Sequence, residues 1–428
     1  MGDWTAERVL ALAPDPASVG PARELSSPAK WVTSGASNVA VWGEAKGSGA
    51  KPYQVAVDFN GPAFKCSCPS RKIPCKHVLG LMLLFSSGIV PAAPMPEWAS
   101  EWLEKRTEKA AVQAAKATSP KVDANPEAAA KRAEGRWEKV LTGLDECEAF
   151  LMDIAGQGLL SAHSTRSWDQ MAARMVDAQA PGVARRLKRI GEKVGIGSDW
   201  GLEVAGELGR LELLIEGSRR IDALPPELSA DLRSTLGIPV RKEDLDGERV
   251  SDVWDALGQA TEREDRVTTI RTWLRGRTYG RWAMHLGFSV AGQPPEQQLL
   301  SGVSFTAELV FYPSAWPLRV QIGQTTPAKF EPLHRGRWAD SVEDMASALS
   351  AHPWIEQIPA CLSQARLGRT DSTLWAIDGE GAAMPIRAGD LWELLARTGN
   401  EPCELFGEFD GTMFRPLGAW GDWGYLPI

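Results

Sequence analysis

Apolar positions change period twice along the chain. Between Trp137 and Ile154 they recur every three or four residues (Trp137, Val140, Leu141, Leu144, Cys147, Leu151, Ile154), the spacing that lines one face of an α-helix. Trp168, Met171 and Met175 continue that period in a second helix, and Val204, Leu208, Leu211 and Ile215 in a later one. No heptad is sustained long enough for a coiled coil. On either side the period shortens towards two. Asn38–Trp42 and Tyr53–Phe59 read as strands, separated by the turn signal Gly47-Ser48-Gly49. Further on, Val267–Leu274, Arg281–Val290, Ser304–Tyr312 and Leu318–Ile322 read as successive strands. Ser341–Ser350 and Ala388–Thr398 read as helices, with Ser341 as N-cap and Asp344 completing a capping box. Cys403–Phe406 and Met413–Leu417 resume the sheet, and no internal repeat emerges.

These changes of period divide the chain. Residues 1–106 form an N-terminal unit, 132–250 a helical segment and 251–428 a mixed α+β domain, so the class expected is α+β multidomain. Residues 107–131 are read as a linker: the stretch is rich in Ala and Lys, broken by Pro120 and Pro126, and has no aromatic residue. A length of 428 residues also exceeds one compact core.

Composition narrows the classes. The formal net charge of -8 excludes a protein that coats nucleic acid along its length, so any such contact is local. Met1–Leu12 carries Asp3 and Glu7 and no long apolar run, unlike a secretory signal. The longest strongly apolar stretch, Val78–Phe85, is far short of a membrane span. A soluble, cytoplasmic chain without membrane contact is expected.

The chemistry concentrates in Phe64-Lys-Cys-Ser-Cys-Pro-Ser-Arg-Lys-Ile-Pro-Cys-Lys-His-Val. Cys66, Cys68, Cys75 and His77 make a Cys-x-Cys pair and a Cys-x-His pair, three thiolates and one imidazole, which fill the tetrahedral shell of one Zn²⁺. Residues two apart at a strand end share a side, so Cys66 and Cys68 can converge. Pro69 and Pro74 bracket the turn between the pairs, and a helix over Val78–Phe85 is expected to place Cys75 just before it and His77 in its first turn. The unit is then ββα, with a core too small to stand without metal or neighbours. The competing readings are three unrelated cysteines and a thiol redox switch. Four protein ligands leave no open position for water, so the site reads as structural.

The order Cys-x-Cys…Cys-x-His, with Trp42-Gly-Glu, Gly47-Ser-Gly, Lys51-Pro-Tyr, Cys66-Ser-Cys-Pro-Ser-Arg and Cys75-Lys-His, resembles the SWIM zinc finger, over about 40 residues. More loosely, the whole chain is similar to bacterial SWIM zinc-finger domain-containing proteins. The resemblance implies a zinc-dependent ββα finger proposed to bind DNA or proteins, with no established activity for the rest. It also implies candidate partners: a MoxR-like AAA+ ATPase or a von Willebrand A-domain protein.

Lys65, Arg71, Lys72 and Lys76 surround the ligands, and no acidic residue occurs from Phe59 to Pro96. That charge suits phosphates of DNA or RNA. It equally suits a centre of three thiolates and Zn²⁺, whose net charge is about -1. A second basic run, Arg185, Arg186, Lys188, Arg189 and Lys193, alternates with apolar positions and reads as a helix with a solvated or partner-binding face. Trp420 and Trp423, in a glycine-rich tail, are candidates for docking. No His-Glu-x-x-His, Gly-x-Ser-x-Gly or P-loop pattern occurs, and His163, His285, His334 and His352 each stand alone. The expected function is therefore a non-enzymatic, zinc-binding adaptor that binds protein or nucleic acid. The alternatives are a DNA-binding regulator, or an enzyme whose site is assembled in the C-terminal domain.

Overall fold

A computed structural model describes every residue except 1–3, 11, 14–15, 48–50, 60–62, 71, 73, 118–125, 160–164, 198, 239, 241, 265–266, 291–298, 333–335, 372 and 388–390. At the N-terminus, α1 (Ala6–Leu10) and α2 (Val19–Glu24) precede strands β1 (Trp31–Ala36), β2 (Ala40–Ala45), β3 (Tyr53–Asp58) and β4 (Ala63–Cys66). They form one antiparallel sheet in the order β1-β2-β3-β4. Helices α3 (Lys76–Ser86) and α4 (Glu97–Ala117) follow. The expected ββα core is thus widened by a strand on each side.

Both faces of this sheet are covered. His77 through Leu84 of α3 are all buried, because the helix lies between the sheet and α1 and α2. Gly80 allows that approach: a Cβ there would sit 2.5 Å from the Cβ of Leu25. On the opposite face, Ala99 of α4, with Trp98, Trp102 and Leu103, packs on Ala40, Trp42 and Ala56. An ion pair from Arg106 to the buried Asp58 (2.9 Å) fastens α4 to β3. The unit is therefore not coreless.

Residues 107–131, expected as a linker, are helical at both ends: α4 runs to Ala117, and α5 (Pro126–Gln157) begins at Pro126. Alanine and lysine favour helix, and a proline in the first turn needs no N–H partner. Helices α6 (Thr165–Asp177), α7 (Pro181–Lys193), α8 (Trp200–Arg219) and α9 (Pro226–Leu236) pack with α5 around one core. The expected stripe is its spine: Val140, Leu144, Cys147, Leu151 and Ile154 are buried. Helix α7 crosses the end of α9 at Gly182, where a Cβ would lie 1.9 Å from the carbonyl oxygen of Thr235.

The C-terminal region is two closed barrels of the same connectivity. The first comprises β5 (Arg249–Glu264), β6 (Val267–Gly276), β7 (Trp282–Val290), β8 (Val303–Phe311), β9 (Arg319–Ile322) and the appended β10 (Thr326–Ala328). The long β5 pairs with both β6 and β8, while β9 runs parallel to β7 and antiparallel to β8, closing the ring β5-β6-β7-β9-β8. After α10 (Trp338–Ala351) the second holds β11 (Ile358–Thr370), β12 (Thr373–Ile377), β13 (Ala383–Pro385), α11 (Trp392–Thr398), β14 (Cys403–Phe409), β15 (Phe414–Gly421) and β16 (Gly424–Pro427). Here β11 pairs with both β12 and β14, and Ile386, just past β13, bridges parallel to Phe414 of β15. First strand shared by second and fourth, third parallel to fifth: this is the connectivity of small five-stranded oligonucleotide- and oligosaccharide-binding barrels. A structural repeat exists where no sequence repeat was evident.

Strand β5 went unread because a bulge between Ala256 and Gly258 breaks its alternation. Helix α10 begins at Trp338, so Ser341 is not its N-cap; its hydroxyl bonds the Arg337 carbonyl oxygen (3.3 Å) from inside the first turn. The Trp338 N–H donates instead to the Asp378 carboxylate (2.9 Å), a cap from a distant turn.

The parts are joined. Arg186 of α7 donates to the Trp354 carbonyl oxygen (2.9 Å) and pairs with Glu356 (3.1 Å), and Arg189 pairs with the same carboxylate (2.7 Å). The Trp354 indole donates to the Arg210 carbonyl oxygen (3.0 Å). The basic helix thus turns two of its cations onto the chain's own C-terminal region. Leu300, ahead of β8, packs on the core of the N-terminal unit.

Candidate metal centre

Strand β4 ends at Cys66, opposite Val55 of β3. The ladder continues one residue further, through Ser67 N–H to Gln54 O (3.0 Å) and Gln54 N–H to Ser67 Oγ (2.9 Å), which sets the turn carrying Cys68. Across that turn, Cys75 occupies the extended N-cap position of α3 and His77 lies in its first turn. The Tyr53 ring rests against the imidazole at 5.0 Å between centroids.

The four predicted ligands come together. One ligand atom from each of Cys66, Cys68, Cys75 and His77 lies within 4.8 Å of all the others. His77 Nδ1 is 3.9 Å from Cys66 Sγ and 4.0 Å from Cys75 Sγ. Bond lengths of about 2.3 Å for Zn–S and 2.0–2.1 Å for Zn–N require tetrahedral edges of roughly 3.5–3.8 Å. The donors stand close to that spacing, so the set fits a tetrahedral metal. Cys75 and His77 are buried and Cys66 and Cys68 are half-buried.

Electrostatics favour a cation here. The Cys75 thiol is pulled down to about 4, first by the hydrogen bond from Cys66, then by His77 and the Val78 N–H at the helix start, against its burial. Cys66 is pushed well up by that same hydrogen bond and by burial, and Cys68 is pushed up by burial. Three sulfurs therefore share about one negative charge until a cation displaces the remaining protons.

The expected nucleic-acid contacts differ in exposure. Lys65 donates to the Trp98 carbonyl oxygen (3.2 Å) and lies over the Trp98 ring, half-buried beneath α4. Lys72 and Lys76 are exposed, and Arg71 lies outside the described residues. Sequence reading missed α4 as the buttress of the finger; Trp98 and Trp102, four apart beside Ala99, were its signal.

Other candidates resolve into structure. Trp420 is buried between the barrels with Phe406 and Leu417, so it is core rather than a docking residue; Trp423 is partly buried beneath Arg397. His285 is buried in β7, and His352 Nε2 lies 3.6 Å from Asp231 of α9; His163 and His334 lie outside the described residues. Cys147, Cys361 and Cys403 are buried, and burial pushes each thiol up. Glu148, Glu212 and Glu216 also cluster, but Arg219 reaches Glu216 (2.7 Å) and Glu148 (2.5 Å) and supplies the cation itself.

Comparison with known families gives two matches. Residues 53–85 match the SWIM zinc finger, the segment that holds all four ligands. Residues 135–236 match a SWIM-associated four-helix bundle domain, the segment from within α5 to the end of α9. No curated protein and no solved structure matches the chain.

Proposed function

Because the chain is a SWIM domain-containing protein, we propose that it is a non-enzymatic, zinc-binding adaptor whose finger presents a surface to a partner. The observation that carries this reading is the convergence of three sulfurs and one imidazole on a single point. Four protein donors make a closed shell, the form that zinc takes where it shapes a fold and leaves no position for substrate. When bound, Zn²⁺ fixes the turn between β4 and α3; Cys66 and Cys68 hold it from the strand side, and Cys75 and His77 from the helix.

A protein partner is favoured over nucleic acid at the finger. Lys65 is committed to α4, while Lys72 and Lys76 are exposed. A centre of three thiolates and Zn²⁺ carries a net charge of about -1, which such neighbouring cations offset. The family resemblance makes a MoxR-like AAA+ ATPase or a von Willebrand A-domain protein the first partners to try, in a cytoplasmic setting. The test is an affinity pull-down with wild type and Cys75→Ser, each checked for bound zinc and folding. Partners lost only from the variant assign recognition to the finger. Metal absent from protein purified without chelator overturns the proposal. Salt-dependent DNA or RNA affinity lost in a Lys72→Gln/Lys76→Gln variant would instead favour a nucleic-acid finger.

A further inference from the structure

The two barrels meet asymmetrically. On the first, Trp273 of β6 and Trp282 and Met284 of β7 belong to the core shared with Phe406, Leu417 and Trp420 of β14 and β15. The first barrel therefore gives up the face of its first three strands to its neighbour, with Leu257 and Gly258 of β5 set against β14 and β15, and the second barrel meets it with its fourth and fifth strands. The Arg271–Glu408 pair (2.5 Å), which also takes the Trp273 indole N–H (2.8 Å), locks that contact.

The equivalent face of the second barrel is left over. In register, Gly368 stands beside Trp375 and Pro385, Arg366 beside Ile377 and Ala383, and Thr370 beside Thr373. Their sequence neighbours Leu367, Leu374, Ala376 and Met384 join the barrel core, so by alternation this set points outward. Arg366, Thr370 and Ala383 are exposed, and Thr373, Trp375 and Ile377 are partly so. Glycine, proline and two threonines border the indole, whose ring is partly exposed while its Nε1 is occluded and has no hydrogen-bond partner among the described residues. The Arg366 side chain makes no ion pair or hydrogen bond among the described residues. Arg369, exposed at the end of β11, donates only to the Asp371 carbonyl oxygen (3.0 Å), and the Asp371 carboxylate is the one acid of that turn.

We propose that this face of the second barrel binds single-stranded nucleic acid. Trp375 offers a ring on which an unpaired base stacks, and Arg366 and Arg369 flank it with cations for the phosphates. A duplex keeps its bases stacked inside and gains nothing from the ring. In barrels of this connectivity the second and third strands carry the ligand, and the first barrel already uses that face for binding, with its neighbour as occupant. The proposal is independent of the finger's partner.

The test is fluorescence anisotropy on the full chain, with a labelled oligo-dT or oligo-rU about 12 nucleotides long and a duplex of equal length, at about 50 mM salt. The single strand is expected to bind more tightly than the duplex. Trp375→Ala is expected to weaken it about 5- to 150-fold, the range for losing one stacked base. Arg366→Gln is expected to weaken it and to lower the salt slope by about 0.7. Lys72→Gln/Lys76→Gln is expected to leave it unchanged. Arg366 is exposed, so Arg366→Gln decides the matter if Trp375→Ala unfolds. No binding, equal binding of the duplex, indifference to Arg366→Gln, or equal competition by polyglutamate each overturns the proposal. The last would mean a site for any polyanion, including an acidic protein.

Discussion

Removing the metal should loosen one corner of the finger and leave its sheet folded. In small finger peptides the metal contributes about 10–16 kcal/mol and the apo chain is unfolded. Here Val55, Val57, Val78, Leu79, Leu81 and Met82 are essentially inaccessible. At about 1.5–3 kcal/mol for each fully buried side chain, those six alone contribute roughly 9–18 kcal/mol, as much as the ion. The α4 face adds Trp42, Trp98 and Trp102. Only the turn from Cys66 to His77 depends on the ion for its shape. Hydrogen–deuterium exchange of metal-loaded and chelated protein checks this. Amides of β4, the turn and the first turn of α3 should exchange at least about a hundredfold faster without metal, while those of β2 and β3 keep their protection. Joint loss of protection at Val41, Val55 and Val57 would refute the reasoning, because it would show that the core depends on the ion after all.

Metal affinity should rise with pH near neutrality. Cys66 and Cys68 are pushed up and hold protons at pH 7, whereas Cys75, down at about 4, has already lost its own. Metal must then displace two protons, giving about a hundredfold gain in affinity per pH unit, measurable by competition with a chromophoric chelator. Arg186→Met should destabilise the chain by about 2–4 kcal/mol in denaturant melts, since it strands the buried Trp354 carbonyl and leaves Glu356 to Arg189 alone. Gly182→Ala should cost about 1–3 kcal/mol, because α7 must back away from the Thr235 carbonyl. Trp420→Ala should cost about 3–5 kcal/mol and lower the melting temperature, as for a core residue; an unchanged melt would return it to the surface.

How much was legible differs between the parts for physical reasons. The ligands were readable because metal chemistry restricts residue type and spacing at once, and both restrictions lie within Cys66–His77. Most of the bundle was readable because α5, α6, α7 and α8 each bury a stripe at helical period; the short α9 was not read. Local restriction ends there. Lys65 reads as a free cation until α4 folds over it, and nothing near Lys65 in sequence reports on Trp98. Trp420 reads as a loose aromatic in a glycine-rich tail until the first barrel covers it. Gly418 of that tail is a site of close approach: a Cβ there would lie 2.5 Å from the Leu257 carbonyl oxygen.

The barrels show the same limit on a larger scale. A closed barrel is defined by which strands meet, and pairings such as Met284 with Arg319 or Ile386 with Phe414 join residues far apart in sequence. Each long first strand also changes partner along its length. Strand β5 has β8 beside its first half and β6 along its second, and β11 passes from β14 to β12 near Ala365. Both strands shift register close to that change, so neither keeps the strict alternation by which strands are recognised. The feature that closes the barrel is thus the one that hides it from periodicity. It also explains why two copies of one connectivity escape notice as a repeat: closure needs strand order and a few bulges, and it leaves side-chain identity free to differ. In the first copy that freedom is used for Trp273, Trp282 and Met284, which meet a neighbour. In the second, β12 carries Thr373 and Trp375, with Arg366 beside them on β11, and by alternation these point away from the barrel core.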